Sequence, residues 1–150
     1  MIKAVYIAEG SGNTPFEVNP AICVTNKGIQ GDRNFARHDW EGQNITFIEA
    51  EEIQRFNNDF NQSIDHWDTR RNVVTEGVRL NDLVGKEFTI GEVRFRGVEL
   101  CEPCAYLGGL LENESIAKKQ LVKALVNRGG LYADILSDGV IVPGMTVDLA

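Results

Sequence analysis

Residues 87–100, EFTIGEVRFRGVEL, contain two apolar-rich runs separated by the dipeptide Gly-Glu at residues 91–92. Each run predicts a strand, and a two-residue connection that begins with glycine is typical of a β-hairpin. The second strand leads directly into CEPC, residues 101–104, where Pro103 has no N–H to donate and interrupts a strand ladder. We therefore expect a hairpin that ends in two closely spaced thiols.

Outside this hairpin the chain shows further short strands separated by turns rich in glycine. These predicted strands cover residues 2–8, 21–25, 44–49, 70–74, 131–136 and 140–149. Residues 49–60 and 115–126 have the apolar spacing of amphipathic helices. Because the strands do not alternate regularly with helices, a doubly wound parallel sheet is disfavoured. We predict a mainly β (α+β) fold, with a bent mixed or antiparallel sheet that can close into a barrel.

The length and charge of the chain limit the functions it can have. Its 150 residues suit one domain, residues 1–150, whose core needs no disulfide staples. A net charge of −7 argues against nucleic-acid binding, which requires a basic face. No run reaches the roughly 20 apolar residues of a membrane span, and we find no secretion signal. With three cysteines, an odd number, we expect a reducing, cytoplasmic location and no membrane partner.

The Cys-x-x-Cys motif permits several kinds of chemistry. Thiolates in such a turn can bind a metal, exchange disulfides or act as nucleophiles. A structural zinc site would need further ligands, for which Cys23, His38 and His66 are available without a paired spacing. A thioredoxin-like pair would open a helix after the first strand of a βαβ unit, whereas this motif follows a hairpin. Two buried, unreactive thiols are the remaining alternative.

Two further motifs suit the binding of an anion. In GIQGDR, residues 28–33, glycine N–H groups can point outward beside Arg33, although an ion pair with the preceding aspartate is the simpler interpretation. RRNVV, residues 70–74, leads into an apolar strand on which Arg70 and Asn72 would share one face. A guanidinium and an amide on one face suit an anion or the edge of a pterin, and a charged strand end at the surface is the alternative.

A glycine-rich loop, GSGNT at residues 10–14, is similar to the phosphate loop of flavodoxins. That fold requires a helix directly after the loop, which Pro15 can start but Pro20 would stop within about a turn and a half. The similarity of the loop nevertheless leaves a further hypothesis, electron transfer by a yellow, flavin-binding protein.

In this order the motifs resemble the MOSC domain, named for the C-terminal domain of molybdenum cofactor sulfurases, in its short stand-alone bacterial form. The resemblance covers nearly the whole chain and rests on the order and spacing of the motifs. The matching stretches are GIQGDR (28–33), QNITFIE (43–49), RRNVVTEGV (70–78), LNDLVG (80–85), FTIG (88–91), CEPCAYL (101–107), RGGLYA (128–133) and GMTV (144–147).

The resemblance implies a MOSC-type β-barrel of mixed short strands with two or three peripheral helices. It implies that Cys104 corresponds to the cysteine that ligates molybdenum in N-hydroxylamine-reducing members. Arg70 and Asn72 correspond to cofactor-binding positions, Arg33 lies in a loop that approaches the cofactor in relatives, and we place Cys101 with them. The implied cofactor is the molybdenum cofactor (molybdopterin), and we do not expect pyridoxal phosphate.

The resemblance also implies a reaction, the two-electron reduction of an N-hydroxylated base or amine. A soft thiolate suits molybdenum, and arginines with backbone amides suit the pterin phosphate. An external flavin or iron–sulfur protein would donate the electrons, because three cysteines cannot supply the four ligands of a cluster. The alternative is a carrier, in which Cys104 holds a persulfide or the cofactor in transit without turnover.

Overall fold

The computed structural model describes residues 1–101, 123 and 126–149. Within these residues the chain forms mostly short strands, with one α-helix, α1 (Ala50–Phe60), and two 3-10 helices, His66–Thr69 and Leu80–Leu83. The strands are β1 (Ile2–Ile7), β2 (Phe16–Glu17), β3 (Ala21–Val24), β4 (Gly28–Ile29), β5 (Ile45–Glu49), β6 (Val73–Thr75), β7 (Glu87–Ile90), β8 (Val93–Leu100), β9 (Leu131–Ile135), β10 (Gly139–Ile141) and β11 (Val147–Leu149).

Eight of these strands form one mixed sheet in the order β11-β7-β8-β9-β5-β6-β1-β2, and β10-β3-β4 form a second sheet. Strands β5 and β6 are parallel and are connected across α1, whereas the other pairs are antiparallel. The register aligns five residues in one row across β8, β9, β5, β6 and β1, namely Leu100, Leu131, Phe47, Val73 and Val5. The end of the hairpin is therefore tied to the centre of the sheet.

The two ends of the large sheet approach each other. Ile2 of β1 donates its N–H to the carbonyl oxygen of Met145 at 2.8 Å and accepts a hydrogen bond from Gly144 at 2.8 Å. Residues 144 and 145 lie just before β11, at the opposite end of the strand order. The sheet therefore curls into a half-barrel, and the predicted mainly β fold with a bent mixed sheet is confirmed.

The interior of the curled sheet is filled by aromatic and aliphatic side chains. Phe47, Phe88 and Phe95 are fully buried, with ring centroids 5.4 to 5.6 Å apart. Aromatic rings at these separations stabilise a core beyond the apolar area they bury. Gly97 in β8 is required because an added Cβ would collide with the carbonyl oxygen of Leu83.

Helix α1 covers the outer face of the sheet. Ile53 of the helix packs in a buried cluster with Ile48 and Val74 of the sheet. Glu51 and Glu52 in its first turn suit the positive end of the helix dipole. The helix predicted over residues 49–60 is confirmed. Among the described residues, no helix is long and apolar enough to cross a membrane.

The hairpin predicted over residues 87–100 is confirmed, with Ile90 paired to Val93 across the two-residue turn. The strand predicted over residues 140–149 is divided, because the chain turns at Gly144 with φ +94° between β10 and β11. The helix predicted over residues 115–126 lies outside the described residues, apart from residues 123 and 126.

The strand predicted over residues 70–74 was placed too early. Arg70 ends the 3-10 helix His66–Thr69 in a left-handed conformation with φ +60°, and β6 begins only at Val73. Arg70 and Asn72 therefore do not share a strand face as expected. The reversal at Arg70 sends the two neighbouring arginines to different partners.

Candidate functional site

Three of the predicted site residues, Arg33, Arg70 and Asn72, meet at the C-terminal end of β1. The cleft there is lined by residues that end β1, precede β2, follow β4 or precede β6: Tyr6, Ile7, Ala8, Pro15, Asp32, Arg33, Arg70, Arg71 and Asn72. In the described part of the chain, the three arginines form no ion pair with a carboxylate. The cleft is therefore locally positive in a chain whose net charge is −7.

The loop after β4 is fixed to the end of β1 through Ala8. The Ala8 N–H donates to the Asp32 carboxylate at 3.1 Å, and the Arg33 N–H donates to the Ala8 carbonyl at 2.8 Å. The buried Asp32 carboxylate also accepts from the N–H of Asn34 at 3.3 Å. No ion pair between Asp32 and Arg33 is found among the described residues, so that simpler interpretation is wrong, and the half-buried Arg33 lines the cleft without a carboxylate partner there.

Arg70 is held by the glycine-rich loop after β1. Its Nη1 donates to the carbonyl oxygen of Asn13 at 2.8 Å, and Nη2 lies 3.5 Å from that of Gly10. Its Nε is buried and has no hydrogen-bond partner among the described residues. The loop presents carbonyl oxygens to an arginine and leads into β2 rather than a helix, so the flavodoxin hypothesis is wrong.

Arg71 connects the cleft to the cysteine motif. Its Nε donates to the Gly129 carbonyl at 2.8 Å, whereas its Nη2 is buried without a partner among the described residues. Gly129 lies against the end of the hairpin, since an added Cβ would be 2.7 Å from the carbonyl oxygen of Cys101 and 3.7 Å from Arg71 Nη2. Arg71 was not predicted as a site residue. The glycine pair Gly129-Gly130 was the available sequence signal, because glycines permit the close approach of this backbone to Cys101 and Arg71.

Asn72 is a structural clamp between two strands. Its Oδ1 accepts from the N–H and hydroxyl of Thr46 at 3.0 and 3.1 Å, and its Nδ2 donates to the Tyr6 carbonyl at 3.0 Å. Its own N–H donates to the Thr46 hydroxyl at 2.9 Å. The side chain is buried and leaves one amide hydrogen for any ligand. Asn72 therefore fixes the backbone directly after the two arginines to β1 and β5, and contact with a cofactor stays a prediction.

The cysteines have different environments. Cys101 is fully buried after β8, and its N–H donates to the Gly130 carbonyl at 2.7 Å. Cys104 lies outside the described residues. Burial in β3 raises the pKa of the Cys23 thiol to about 12, so this side chain remains a neutral thiol. Among the described residues, no three His, Cys, Asp or Glu side chains are grouped to hold a metal.

The space enclosed by the described cleft residues is about 10 Å³, close to that of one water molecule. An anion larger than water therefore reaches Arg70 Nε and Arg71 Nη2 only when side chains shift. Arginine side chains can make such shifts, because they have several rotatable bonds. The arrangement can neutralise a negatively charged group and, through Gly129, place it near the cysteine motif.

Comparison with protein families gives one match that covers most of the chain. A sequence model of the MOSC domain matches residues 34–148. No curated protein matches the sequence.

Solved structures with the same fold come from several bacteria. YuaD from Bacillus subtilis superposes with a TM-score of 0.84 at 15% identity, over 97% of this chain and 92% of that chain. YiiM from Geobacillus stearothermophilus gives 0.77 at 15% identity, over 100% of this chain and 75% of that chain. YiiM from Escherichia coli superposes with a TM-score of 0.69 at 17% identity, over 100% of this chain and 70% of that chain. At these identities the similarity shows the fold alone.

Proposed function

This chain belongs to the MOSC domain family, which is associated with the molybdenum cofactor, and on that premise we propose that it binds this cofactor. We further propose that it reduces N-hydroxylated bases or amines with electrons from an external donor protein. The single observation that supports cofactor binding is that two neighbouring arginines that line one cleft each keep a buried guanidinium nitrogen, Arg70 Nε and Arg71 Nη2, without a partner among the described residues.

These two nitrogens fit an anionic group of a pterin cofactor. A buried donor without a partner costs about 1–3 kcal/mol, and more when the group is charged. A phosphate offers several acceptor oxygens and a charge of opposite sign, which arginine forks bind strongly. The donor chemistry of Arg70 and Arg71 therefore suits the phosphate of molybdopterin.

Each residue of the site has a distinct proposed role. Arg33, Arg70 and Arg71 bind the anionic part of the cofactor, and Asn72 positions the two neighbouring arginines. Cys104 supplies a soft thiolate to the metal, a ligand type that suits molybdenum. Cys101 and Gly130 fix the start of the cysteine motif through their backbone hydrogen bond. When bound, the cofactor supplies two-electron redox chemistry, which matches the reduction of an N–OH group.

One observation favours a second function, that of a sulfur or cofactor carrier. The described part of the cleft encloses about 10 Å³, and a persulfide on Cys104 needs no room for a pterin there. A carrier uses the same cysteine and passes its cargo on without turnover. Reduction of an N-hydroxylated substrate therefore separates the two functions.

The test is an activity assay on protein expressed in a host that makes the molybdenum cofactor. We expect reduction of an N-hydroxylated base with a supplied chemical reductant, and loss of this activity in Cys104→Ser. The Cys23→Ser variant is the matched control, because Cys23 is buried away from the cleft in β3. If the protein carries the cofactor but shows no turnover, or if Cys104 carries a persulfide and no cofactor is bound, the carrier function is favoured over the reductase.

A further inference from the structure

A second cavity lies between α1 and the 3-10 helix His66–Thr69, on the outer face of the sheet. Its volume is about 450 Å³, within the range of small-molecule sites in proteins. Ala50 and Ile53 of α1 and Ile64 before the 3-10 helix are its aliphatic lining residues. Ile53 belongs to the small core beneath α1, and the partly buried Ile64 packs against that core.

Two aromatic side chains form one wall of this cavity. Tyr6 of β1 and Trp67 of the 3-10 helix lie with ring centroids 6.1 Å apart and planes tilted by 57°. Tyr6 is buried, whereas Trp67 is 38% exposed. A large aromatic side chain that keeps more than a third of its surface open beside a cavity can stack on a planar ligand.

Polar groups with no partner in the described part of the chain face the same cavity. The Gln54 amide and the His66 imidazole line it, and no hydrogen bond of either side chain is found among the described residues. Neighbouring Asn57 is different, because its amide exchanges two hydrogen bonds with the backbone of Ile64 at 3.0 and 3.1 Å. Gln54 and His66 therefore remain available to a ligand that carries both donors and acceptors.

The charges around the cavity argue against an anionic ligand. Lys3 and Glu76 both line the cavity and form a half-exposed ion pair at 2.9 Å. Asp65 also lines the cavity. Burial, and then the charges of Glu17 and Asp65, raise the pKa of the Tyr6 phenol. The lining therefore carries two carboxylates, Asp65 and Glu76, against one ammonium, Lys3, and this balance disfavours an anionic ligand.

We propose that this cavity is a binding site for a neutral planar heterocycle of nucleoside size, stacked on Trp67 and hydrogen-bonded by Gln54 and His66. The site is distinct from the arginine cleft, for which we propose an anionic ligand, although Tyr6 lines both. The proposal does not rest on the function proposed above, because no cleft arginine and no cysteine lines the cavity.

Fluorescence of Trp67 provides the test, with adenosine as the probe. The chain contains two tryptophans, and Trp40→Phe leaves Trp67 as the only one. We expect adenosine to quench this fluorescence saturably in Trp40→Phe. We expect AMP to bind several-fold more weakly, because Asp65 repels its phosphate. Saturation should persist in phosphate buffer, since phosphate competes only for the arginine cleft.

Two variants test the wall and the polar groups by calorimetry. Trp67→Ala should abolish adenosine binding, whereas Trp40→Ala, an exposed tryptophan outside the cavity, should retain it. Gln54 is exposed on α1, so Gln54→Leu should leave the fold intact. We expect it to weaken adenosine binding about three- to tenfold, because a hydrogen bond to the ligand is lost. No saturable binding, equal losses in both tryptophan variants, or AMP binding as tightly as adenosine would each overturn the proposal.

Discussion

Arg71 Nε donates a 2.8 Å hydrogen bond to the carbonyl oxygen of Gly129, 58 residues later in the chain. This contact joins the segment before β6 to the segment before β9, beside the backbone of Cys101. Another nitrogen of the Arg71 guanidinium, Nη2, is buried and has no partner among the described residues. The arrangement holds a guanidinium between the cleft and the cysteine motif.

The first prediction concerns Arg71. We expect Arg71→Met to weaken retention of the molybdenum cofactor about ten- to a hundredfold, because a charge-assisted hydrogen bond is lost. Pterin released from purified protein measures the retention. Arg37→Met is the matched control, since Arg37 is exposed and does not line the cleft. Equal retention in the Arg71 and Arg37 variants would contradict the role of Arg71.

The second prediction concerns the Asn72 clamp. Asn72→Ala removes the side-chain bonds to Thr46 and Tyr6 and leaves buried backbone groups unpaired. We expect the free energy of unfolding to fall by about 2–4 kcal/mol, measured by urea denaturation. Asn58→Ala, an exposed position on α1, should change it by less than about 0.5 kcal/mol. A loss below about 1 kcal/mol in Asn72→Ala would show that the clamp is not important.

The third prediction concerns Gly130, the partner of Cys101. Gly130 has φ +108°, and an added Cβ would collide with the carbonyl oxygen of Phe47. We expect Gly130→Ala to lower the free energy of unfolding, measured by urea denaturation, by more than about 3 kcal/mol. Gly144→Ala is the matched control, because its φ of +94° imposes strain but no atom lies near the added Cβ. Similar losses in both variants would mean that backbone strain alone, without the close approach, sets the effect.

The fourth prediction concerns the Cys23 thiol, whose pKa burial raises to about 12. In native protein at pH 8 we expect iodoacetamide to leave Cys23 unmodified, and to modify it once the protein is unfolded in urea. The raised pKa also means that the folded state disfavours the thiolate. Stability is therefore lost as pH rises from the unfolded value, about 8.5, towards 12.

Mass spectrometry of alkylated peptides measures the first effect and denaturation at several pH values the second. In Cys23→Ala the alkaline loss of stability should be smaller than in the parent. Rapid alkylation of Cys23 in native protein would contradict its burial.

The parts of the fold that depend on residues close together in the sequence were predicted correctly. The hairpin of residues 87–100 was predicted because both strands and their turn are contiguous, and α1 was predicted because its apolar spacing is local. The order of the strands was not predicted, since pairings such as that of Phe47 with Leu131 join distant segments of the chain.

The errors have a common physical cause. Arg70 adopts a left-handed conformation that its sequence does not signal, because Gly or Asn are the usual residues there. Counting alternate residues through Arg70 therefore placed Arg70 and Asn72 on one strand face. The hydrogen bonds of Asn72 to Thr46 and Tyr6 were not predicted, because they depend on tertiary structure that no local pattern encodes, and its contact with a cofactor stays a prediction.

The most direct measurement is the molybdenum and pterin content of protein purified from a host that makes the cofactor. It is compared with the content of Cys104→Ser and Cys23→Ser. Cofactor binding with Cys104 as ligand predicts near-stoichiometric molybdenum with pterin in the parent and in Cys23→Ser, and its loss in folded Cys104→Ser. Undiminished cofactor in Cys104→Ser would contradict the ligand, and zinc in place of molybdenum in the parent would contradict the cofactor site itself.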